Sequence, residues 1–274
     1  MAADFGADIE IAPGVLLPRI GFGMFRVPPG PAARDIASRA IAVGYRHLDT
    51  AAIYGNEAEV GAALRTHTAS ARPFVTTKLW NDDQGYEAAL GGFAASEAKL
   101  GRDVIDLFLL HWPVPGRRLD AWRALESLLA AGRVRAIGVS NFMPWHLEEL
   151  LRHCEIRPAV NQVELSPFLQ QRELRALCRA EGITPIAYSP LTKGRRLDHP
   201  VVLAHAARLG RTPAQVMLRW VLEQDAALVV KSTDLARMRA NLALHDFTLD
   251  DECRAALDGL DEGLVTGWDP RRER

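Results

Sequence analysis

Short apolar runs alternate with longer helical stretches from residue 20 to about residue 240. This alternation is typical of βαβ units that share one parallel sheet. Eight strands are predicted, at about 20–24, 46–49, 74–78, 104–110, 134–139, 159–163, 183–187 and 227–230. Their following helices are predicted at about 31–43, 56–66, 86–100, 119–131, 145–153, 170–181, 212–223 and 234–242.

Eight strand-helix pairs predict an α/β fold of the (β/α)8 TIM barrel type. The 274 residues, of which 48% are hydrophobic, suit a single barrel domain over 1–274 better than two small domains. The opening run IEIAPGVLLPRIGFG predicts a β-hairpin around Pro13 and Gly14 that caps the bottom of the barrel. Two extra helices are predicted outside the repeat, at about 199–209 and 249–258.

Overall charge and patterning exclude several classes of partner. The formal net charge of -1 gives no general attraction to nucleic acid or to an anionic membrane. The N-terminus lacks an export pattern, and no window reaches the roughly 18 apolar residues of a membrane span. A cytoplasmic protein is therefore expected. The three cysteines, Cys154, Cys178 and Cys253, are widely spaced without a CxxC pair, which predicts free thiols and no metal site.

Four polar side chains lie where predicted strands end. Asp49 and Tyr54 follow the second strand in the run GYRHLDTAAIYGNE, Lys78 closes the third strand, and His111 closes the fourth. Each residue alone has an ordinary interpretation as a loop, strand-end or core residue. Active sites of TIM barrels lie at the carboxyl ends of the strands, so the four together predict a catalytic site.

These residue types suit the reduction of a carbonyl group. That reaction needs a hydride donor to carbon and a proton donor to the developing alkoxide. A tyrosine phenol, with an ordinary pKa of about 10, donates readily if a nearby cation lowers its pKa. Lys78 is the candidate cation, and Asp49 is its candidate counter-charge. His111 is the candidate for orienting the substrate oxygen.

A phosphate site is predicted after the last strand. The segment Gly21-Phe22-Gly23 fails the GxGxxG template, so a Rossmann nucleotide fold is not indicated. The run VVKSTDLARMRAN instead combines a strand end, a helix start and basic side chains, which together favour a phosphate. Its candidate ligands are Lys231, Ser232, Thr233 and Arg237. The alternative is a solvated basic helix start.

The motifs HWP at 111–113, VSN, NQVE, AYSP and VVKS, together with the tyrosine run, resemble the aldo-keto reductase superfamily over residues 9 to about 262. Bacterial members such as the 2,5-diketo-gluconate reductases are similar. The resemblance implies that NADPH is the cofactor and that aldehydes or ketones are reduced to alcohols. It also implies a catalytic tetrad composed of Asp49, Tyr54, Lys78 and His111.

The same resemblance implies the cofactor ligands. The nicotinamide carboxamide would contact Ser140, Asn141 and Gln162, and its ring would stack on Tyr188. The loop over the pyrophosphate would begin at Ser189 and Leu191. The adenosine 2′-phosphate would contact Lys231, Ser232 and Arg237, with Thr233 beside them and Asn241 on the adenine. Two residues depart from the family pattern: Ala240 replaces a usual Glu, which weakens selection against NADH, and Val230 replaces a common Pro.

Aromatic residues follow three of the strands and predict the substrate pocket. Phe25, Trp80 and Trp112 lie near Tyr54 and His111 in this arrangement. A mostly apolar aromatic pocket suits aldehydes and ketones. The loop after His111 and the tail after residue 260 are both short, which predicts an open pocket with broad tolerance.

Two other functions remain as alternatives. A lyase or aldolase could use Lys78 as a Schiff-base amine, although Tyr54 and Arg237 would then have no purpose. A non-catalytic NADPH-sensing subunit would need a large partner surface. A monomer that acts on small molecules, without nucleic acid or membrane, is the expected form.

Overall fold

The computed structural model of the protein describes residues 7–67 and 72–273. The strands within these ranges are β1 (Ile9–Ala12), β2 (Val15–Leu17), β3 (Ile20–Gly23), β4 (His47–Asp49), β5 (Phe74–Leu79), β6 (Ile105–Leu110), β7 (Val134–Ser140), β8 (Val160–Glu164), β9 (Thr184–Tyr188) and β10 (Ala227–Val230). The α-helices are α1 (Pro31–Val43), α2 (Glu57–Thr66), α3 (Tyr86–Leu100), α4 (Arg118–Ala130), α5 (Pro144–His153), α6 (Arg172–Ala180), α7 (Pro200–Leu209), α8 (Pro213–Leu222), α9 (Leu235–Leu242) and α10 (Asp251–Asp258).

Strands β3 to β10 form a closed parallel barrel in the described residues, and β10 pairs with β3 to complete it. The predicted TIM barrel, its hairpin (β1 and β2) and the two extra helices (α7 and α10) are confirmed. Helices α9 and α10 begin one and two residues later than predicted, and an aspartate caps each of them. The Asp250 carboxylate accepts from the Cys253 amide before α10, and Asp234 accepts from the Arg237 amide before α9.

Register explains why the polar residues meet at one rim. Asp49 pairs with Gly23 on one side and with Thr76 on the other, and Ser140 pairs with Gln162. Parallel strands in such register end together, so the residues that follow them share the carboxyl rim of the barrel. The strand β6 is buried along its whole length, as expected for a strand enclosed by helices outside and side chains inside.

The hairpin closes the opposite end of the barrel. Leu17 on β2 is fully buried and belongs to one apolar cluster with Phe74 and Val160, the first residues of β5 and β8. Arg135 donates to the Gly14 carbonyl at 3.1 Å and to Asp106 at 2.9 Å, which ties the hairpin turn to the barrel wall. The predicted cap at the bottom of the barrel is therefore confirmed.

Two further observations concern the described residues alone. Their helices include none with the length and apolar character needed to cross a membrane. Cys154, Cys178 and Cys253 are free thiols, as predicted.

Two helical glycines provide a matched test of this packing. A Cβ at Gly61 in α2 would lie 2.5 Å from the Leu100 carbonyl oxygen, whereas a Cβ at Gly91 in α3 would have nothing within 4 Å. Gly61→Ala should lower the free energy of unfolding by about 1–3 kcal/mol through overpacking. Gly91→Ala should raise it by about 0.5–1 kcal/mol, because alanine loses less backbone entropy in a helix. Urea denaturation measures both, and a Gly61→Ala protein as stable as wild type would refute the tight contact between α2 and α3.

Candidate active site

A cleft of about 740 Å³ opens at the carboxyl rim of the barrel. Most of the residues predicted for the site line this cleft, and it is the place where the barrel strands end. These lining residues are Phe25, Asp49, Tyr54, Trp80, His111, Trp112, Ser140, Asn141, Gln162, Tyr188, Ser189, Leu191 and Lys231. Lys78 lies beneath the cleft surface and is fully buried.

Lys78 and Asp49 form a buried ion pair. The Lys78 Nζ atom donates to Asp49 Oδ1 at 2.6 Å and to the Thr50 carbonyl at 2.8 Å. The second carboxylate oxygen of Asp49 accepts from Gln162 Nε2 at 2.7 Å. Burial lowers the pKa of the Lys78 ammonium, and the Asp49 charge opposes that shift. A buried charge is tolerated when it is paired and hydrogen-bonded, as both charges are in this pair.

The loop that carries Tyr54 is held by a buried asparagine. Asn56 donates from Nδ2 to the carbonyls of Met24 and Val27, and its Oδ1 accepts from the Thr50 hydroxyl at 2.7 Å. These bonds join the loop after β4 to the loop after β3. Tyr54 ends a short 3₁₀ turn in this tied loop, so its ring has a defined position.

Tyr54, His111 and Lys78 lie together at the floor of the cleft. The ring centroids of Tyr54 and His111 are 5.7 Å apart in an edge-on arrangement, and Lys78 Nζ lies 5.2 Å from the Tyr54 ring centroid. Burial, with a further contribution from the Lys78 charge, lowers the pKa of His111 well below its ordinary range. The imidazole is therefore neutral at physiological pH.

The phenol of Tyr54 does not behave as predicted from the sequence. Burial raises its pKa well above the ordinary value, and the negative charge of Asp49 adds to that rise. The expectation of a pKa below the ordinary value is wrong in this structure, since burial and the Asp49 charge both act to raise it. The phenol consequently keeps its proton throughout the neutral range.

A hydrogen-bonded group of polar side chains lies on one side of the cleft. The Tyr188 hydroxyl donates to Asn141 Oδ1 at 2.7 Å, and Asn141 Nδ2 donates to the His111 carbonyl at 3.0 Å. The Ser140 hydroxyl donates to the Gln162 carbonyl at 2.9 Å. The structure thus brings these predicted residues together, although Gln162 also supports Asp49, a contact that the sequence did not indicate.

Four non-glycine residues of the cleft have left-handed backbone conformations. Their φ angles are 59° at Arg26, 64° at Asn141, 49° at Ser189 and 54° at Lys193. Such conformations are uncommon for residues with a side chain and concentrate at functional sites. All four lie in segments that follow barrel strands, so strained backbone contributes to the lining of the cleft at the carboxyl rim.

The predicted phosphate segment extends away from the cleft. Lys231 is exposed and lines the cleft, whereas four other predicted ligands lie outside the cleft lining. Ser232 and Thr233 precede α9, Arg237 lies in its first turn, and Asn241 lies in its last turn. Arg237 is 74% exposed, and its Nε lies 3.8 Å from the Asp234 carboxylate. That carboxylate also accepts a hydrogen bond from the backbone amide of Arg237 at 2.8 Å. This helix start was predicted to bind a phosphate, but Asp234 occupies one of its backbone amides.

The aromatic wall of the cleft contains a residue that sequence reasoning missed. Trp268, from the C-terminal tail, lies with its ring centroid 6.2 Å from that of Trp80 and 5.7 Å from that of Trp112. The tail therefore contributes to the wall of the cleft, which its short length did not predict, and the openness of the pocket stays a prediction. The signal available in the sequence was an isolated tryptophan in a tail otherwise rich in charged residues.

Other lining residues were also missed. Arg26, Ile53, Lys193 and Thr266 line the cleft together with the predicted residues. The first two lie within two residues of predicted ones, so their proximity was a usable signal. Lys193 and Thr266 meet through the fold alone, because a loop after β9 and the C-terminal tail supply them.

Comparison with known proteins agrees with this geometry. A glyoxal reductase of Bacillus subtilis (strain 168) is 43% identical over 96% of this chain and 95% of its own. An uncharacterized oxidoreductase of the same strain, YtbE, is 44% identical over 98% of both chains. The crystal structure of a Gox0644 mutant in complex with NADPH is 39% identical, with a TM-score of 0.90 over 94% of this chain and 95% of that one. The sequence model of the aldo/keto reductase family matches residues 19–262, and the chain belongs to that family.

Proposed function

We propose that the protein is an NADPH-dependent reductase that converts aldehydes or ketones to alcohols, with Tyr54 as the proton donor. The observation that carries this proposal is the buried Lys78–Asp49 pair beneath Tyr54 and His111 at the floor of an aromatic cleft. Membership of the aldo/keto reductase family supports it, as do the NADPH complex of Gox0644 and the name of the glyoxal reductase.

The cleft fits a nicotinamide dinucleotide. Ser140, Asn141 and Gln162 present hydroxyl and amide groups suited to a carboxamide, and the ring of Tyr188 lies beside them. At the other end, Lys231 forms no ion pair with any described residue, so its charge is free for a phosphate. The bound cofactor would supply a hydride to the carbonyl carbon.

The side chains at the floor of the cleft would complete the reaction at the carbonyl oxygen. Negative charge develops on that oxygen as the carbon is reduced, and the Tyr54 phenol, which stays protonated at neutral pH, would donate its proton there. The neutral imidazole of His111 would orient the oxygen by hydrogen bonding. Lys78 and Asp49 would hold a fixed dipole next to the phenol.

The two alternatives receive less support. A Schiff base at Lys78 would require an accessible amine, but Lys78 is fully buried and donates to Asp49 and Thr50. A non-catalytic sensing subunit would bind NADPH without oxidising it, so assays with aldehydes separate this function from a reductase. The cytoplasmic location, the monomeric state and the single-domain organisation remain predictions.

Tyr54→Phe tests the proton donor. The change keeps the ring contacts with Phe25 and His111 but removes the hydroxyl, so kcat should fall by about 10² to 10⁴ while the Kd for NADPH stays unchanged. Tyr86→Phe, which removes an exposed hydroxyl on α3, is the matched control and should retain full activity. A Tyr54→Phe enzyme with wild-type kcat would exclude the proposed donor.

The lowered pKa of His111 predicts how its protonation depends on pH. Its imidazole should remain neutral between about pH 8 and about pH 6, where a free histidine with a pKa of about 6.5 gains its proton. Below about pH 6.5 the unfolded chain binds this proton and the folded protein does not, so acidification removes stability. A ¹⁵N NMR titration of labelled histidines, assigned with His111→Asn, measures the shift. Protonation of His111 near pH 6.5 would contradict the proposal that a neutral imidazole orients the substrate oxygen.

Arg237→Ala tests cofactor choice. If the guanidinium contacts the 2′-phosphate, NADPH should bind about tenfold more weakly, equivalent to about 1.5 kcal/mol, with little change for NADH. We expect the lower end of the range for a charge-assisted bond, because Arg237 is exposed and lies near Asp234. Arg239→Ala, on the same helix, is the control. Equal losses of affinity for NADPH and NADH would mean that the segment is a solvated helix start without a role in binding the 2′-phosphate.

A further inference from the structure

Thr266 in the C-terminal tail is held from two sides by side chains of the barrel rim. Its amide donates to both carboxylate oxygens of Glu164, at 3.0 and 3.1 Å, and its hydroxyl donates to Glu164 Oε1. Its carbonyl accepts from Lys193 Nζ at 2.6 Å. We call this arrangement of Glu164, Thr266 and Lys193 the tail latch.

Glu164 makes the latch difficult to open. It is the last residue of β8, only 4% exposed, and it forms no direct ion pair with any described residue. The hydrogen bonds from Thr266 therefore satisfy a buried carboxylate that would otherwise be costly to keep out of water. Displacing the tail would leave this charge without those donors.

Lys193 connects the latch to the loop after β9. Ser189, Thr192 and Lys193 in this loop have positive φ angles of 49°, 51° and 54°. A loop with three such residues needs contacts outside itself to hold its shape. The bond from Lys193 Nζ to the Thr266 carbonyl is one such contact, so the tail and this loop are fixed against each other.

Trp268 lies two residues after Thr266, and its ring packs on Trp80 and Trp112. Trp268 is 68% exposed, so few contacts of its own hold it in place. We infer that Glu164 and Lys193 are positioning residues, which act through Thr266 to fix Trp268 as a wall of the substrate pocket. In this position Trp268 gives the pocket a preference for large flat carbonyl compounds. This inference rests on the proposed reductase function.

Thr266→Val and Thr266→Ser form the matched pair for a test. Valine keeps the shape of threonine and loses the hydroxyl bond to Glu164, whereas serine keeps that bond. With Thr266→Val, KM for naphthaldehyde should rise about tenfold, as expected for a lost hydrogen bond to a charged group. KM for acetaldehyde, which is too small to reach Trp268, and Kd for NADPH should stay within about twofold. Thr266→Ser should restore the wild-type KM for naphthaldehyde.

A double-mutant cycle shows whether the latch acts through the tryptophan. Trp268→Ala should raise KM for naphthaldehyde by itself, and adding Thr266→Val to Trp268→Ala should then cause no further rise. Additive losses, or a parallel rise for acetaldehyde, would overturn the inference. Thermal unfolding of each variant identifies any general loss of structure.

Ligand binding separates this inference from the proposed function. Tryptophan fluorescence measures the Kd for naphthaldehyde binding to the NADP-saturated protein. This Kd does not depend on turnover. A wild-type protein that binds naphthaldehyde but oxidises NADPH with neither aldehyde would contradict the reductase function, and the Kd series would still test the latch. An unchanged Kd in Thr266→Val would refute the latch even if both aldehydes are reduced.

Discussion

The buried ion pair between Lys78 and Asp49 is the interaction on which the rest of the site depends. Both side chains are buried, and each charge is compensated by the other together with the Thr50 carbonyl and the Gln162 amide. The pair can exist only because β4, β5 and β8 end at the same rim. It also affects the two groups above it, because the Asp49 charge adds to burial in raising the pKa of Tyr54 and the Lys78 charge adds to burial in lowering the pKa of His111.

The fold could be predicted from the sequence because its signals are local. Apolar runs and helical stretches alternate, and the barrel strands begin and end within one residue of their predicted bounds. Helix starts were predicted less accurately. At Asp234 and Asp250 a carboxylate rather than an apolar pattern determines where the helix begins. Such caps depend on a single hydrogen bond, which periodicity does not reveal.

The floor of the cleft was predictable for a related reason. Asp49, Lys78 and His111 lie at or next to the ends of barrel strands, and Tyr54 lies in the loop after β4, so the topology brings all four to one rim. Contacts across long separations were not predictable. The Gln162 bond to Asp49, the position of Trp268 and the bond between Lys193 and Thr266 depend on how loops and tail cross the barrel. The direction of the Tyr54 pKa shift depends on desolvation, which is set by the three-dimensional packing around the phenol and cannot be predicted from the sequence.

Barrel closure by β3 and β10 has a consequence for how the protein is made. These strands are the first and last of the barrel in the sequence, and they pair directly. Pairing between distant parts of a chain carries a large loop-closure cost and slows folding. The loop after β3 supplies Phe25 to the cleft, and the residue after β10 is Lys231, so the pairing of these two strands completes the rim. A chain emerging from the ribosome could thus close the barrel only after β10 has been synthesised.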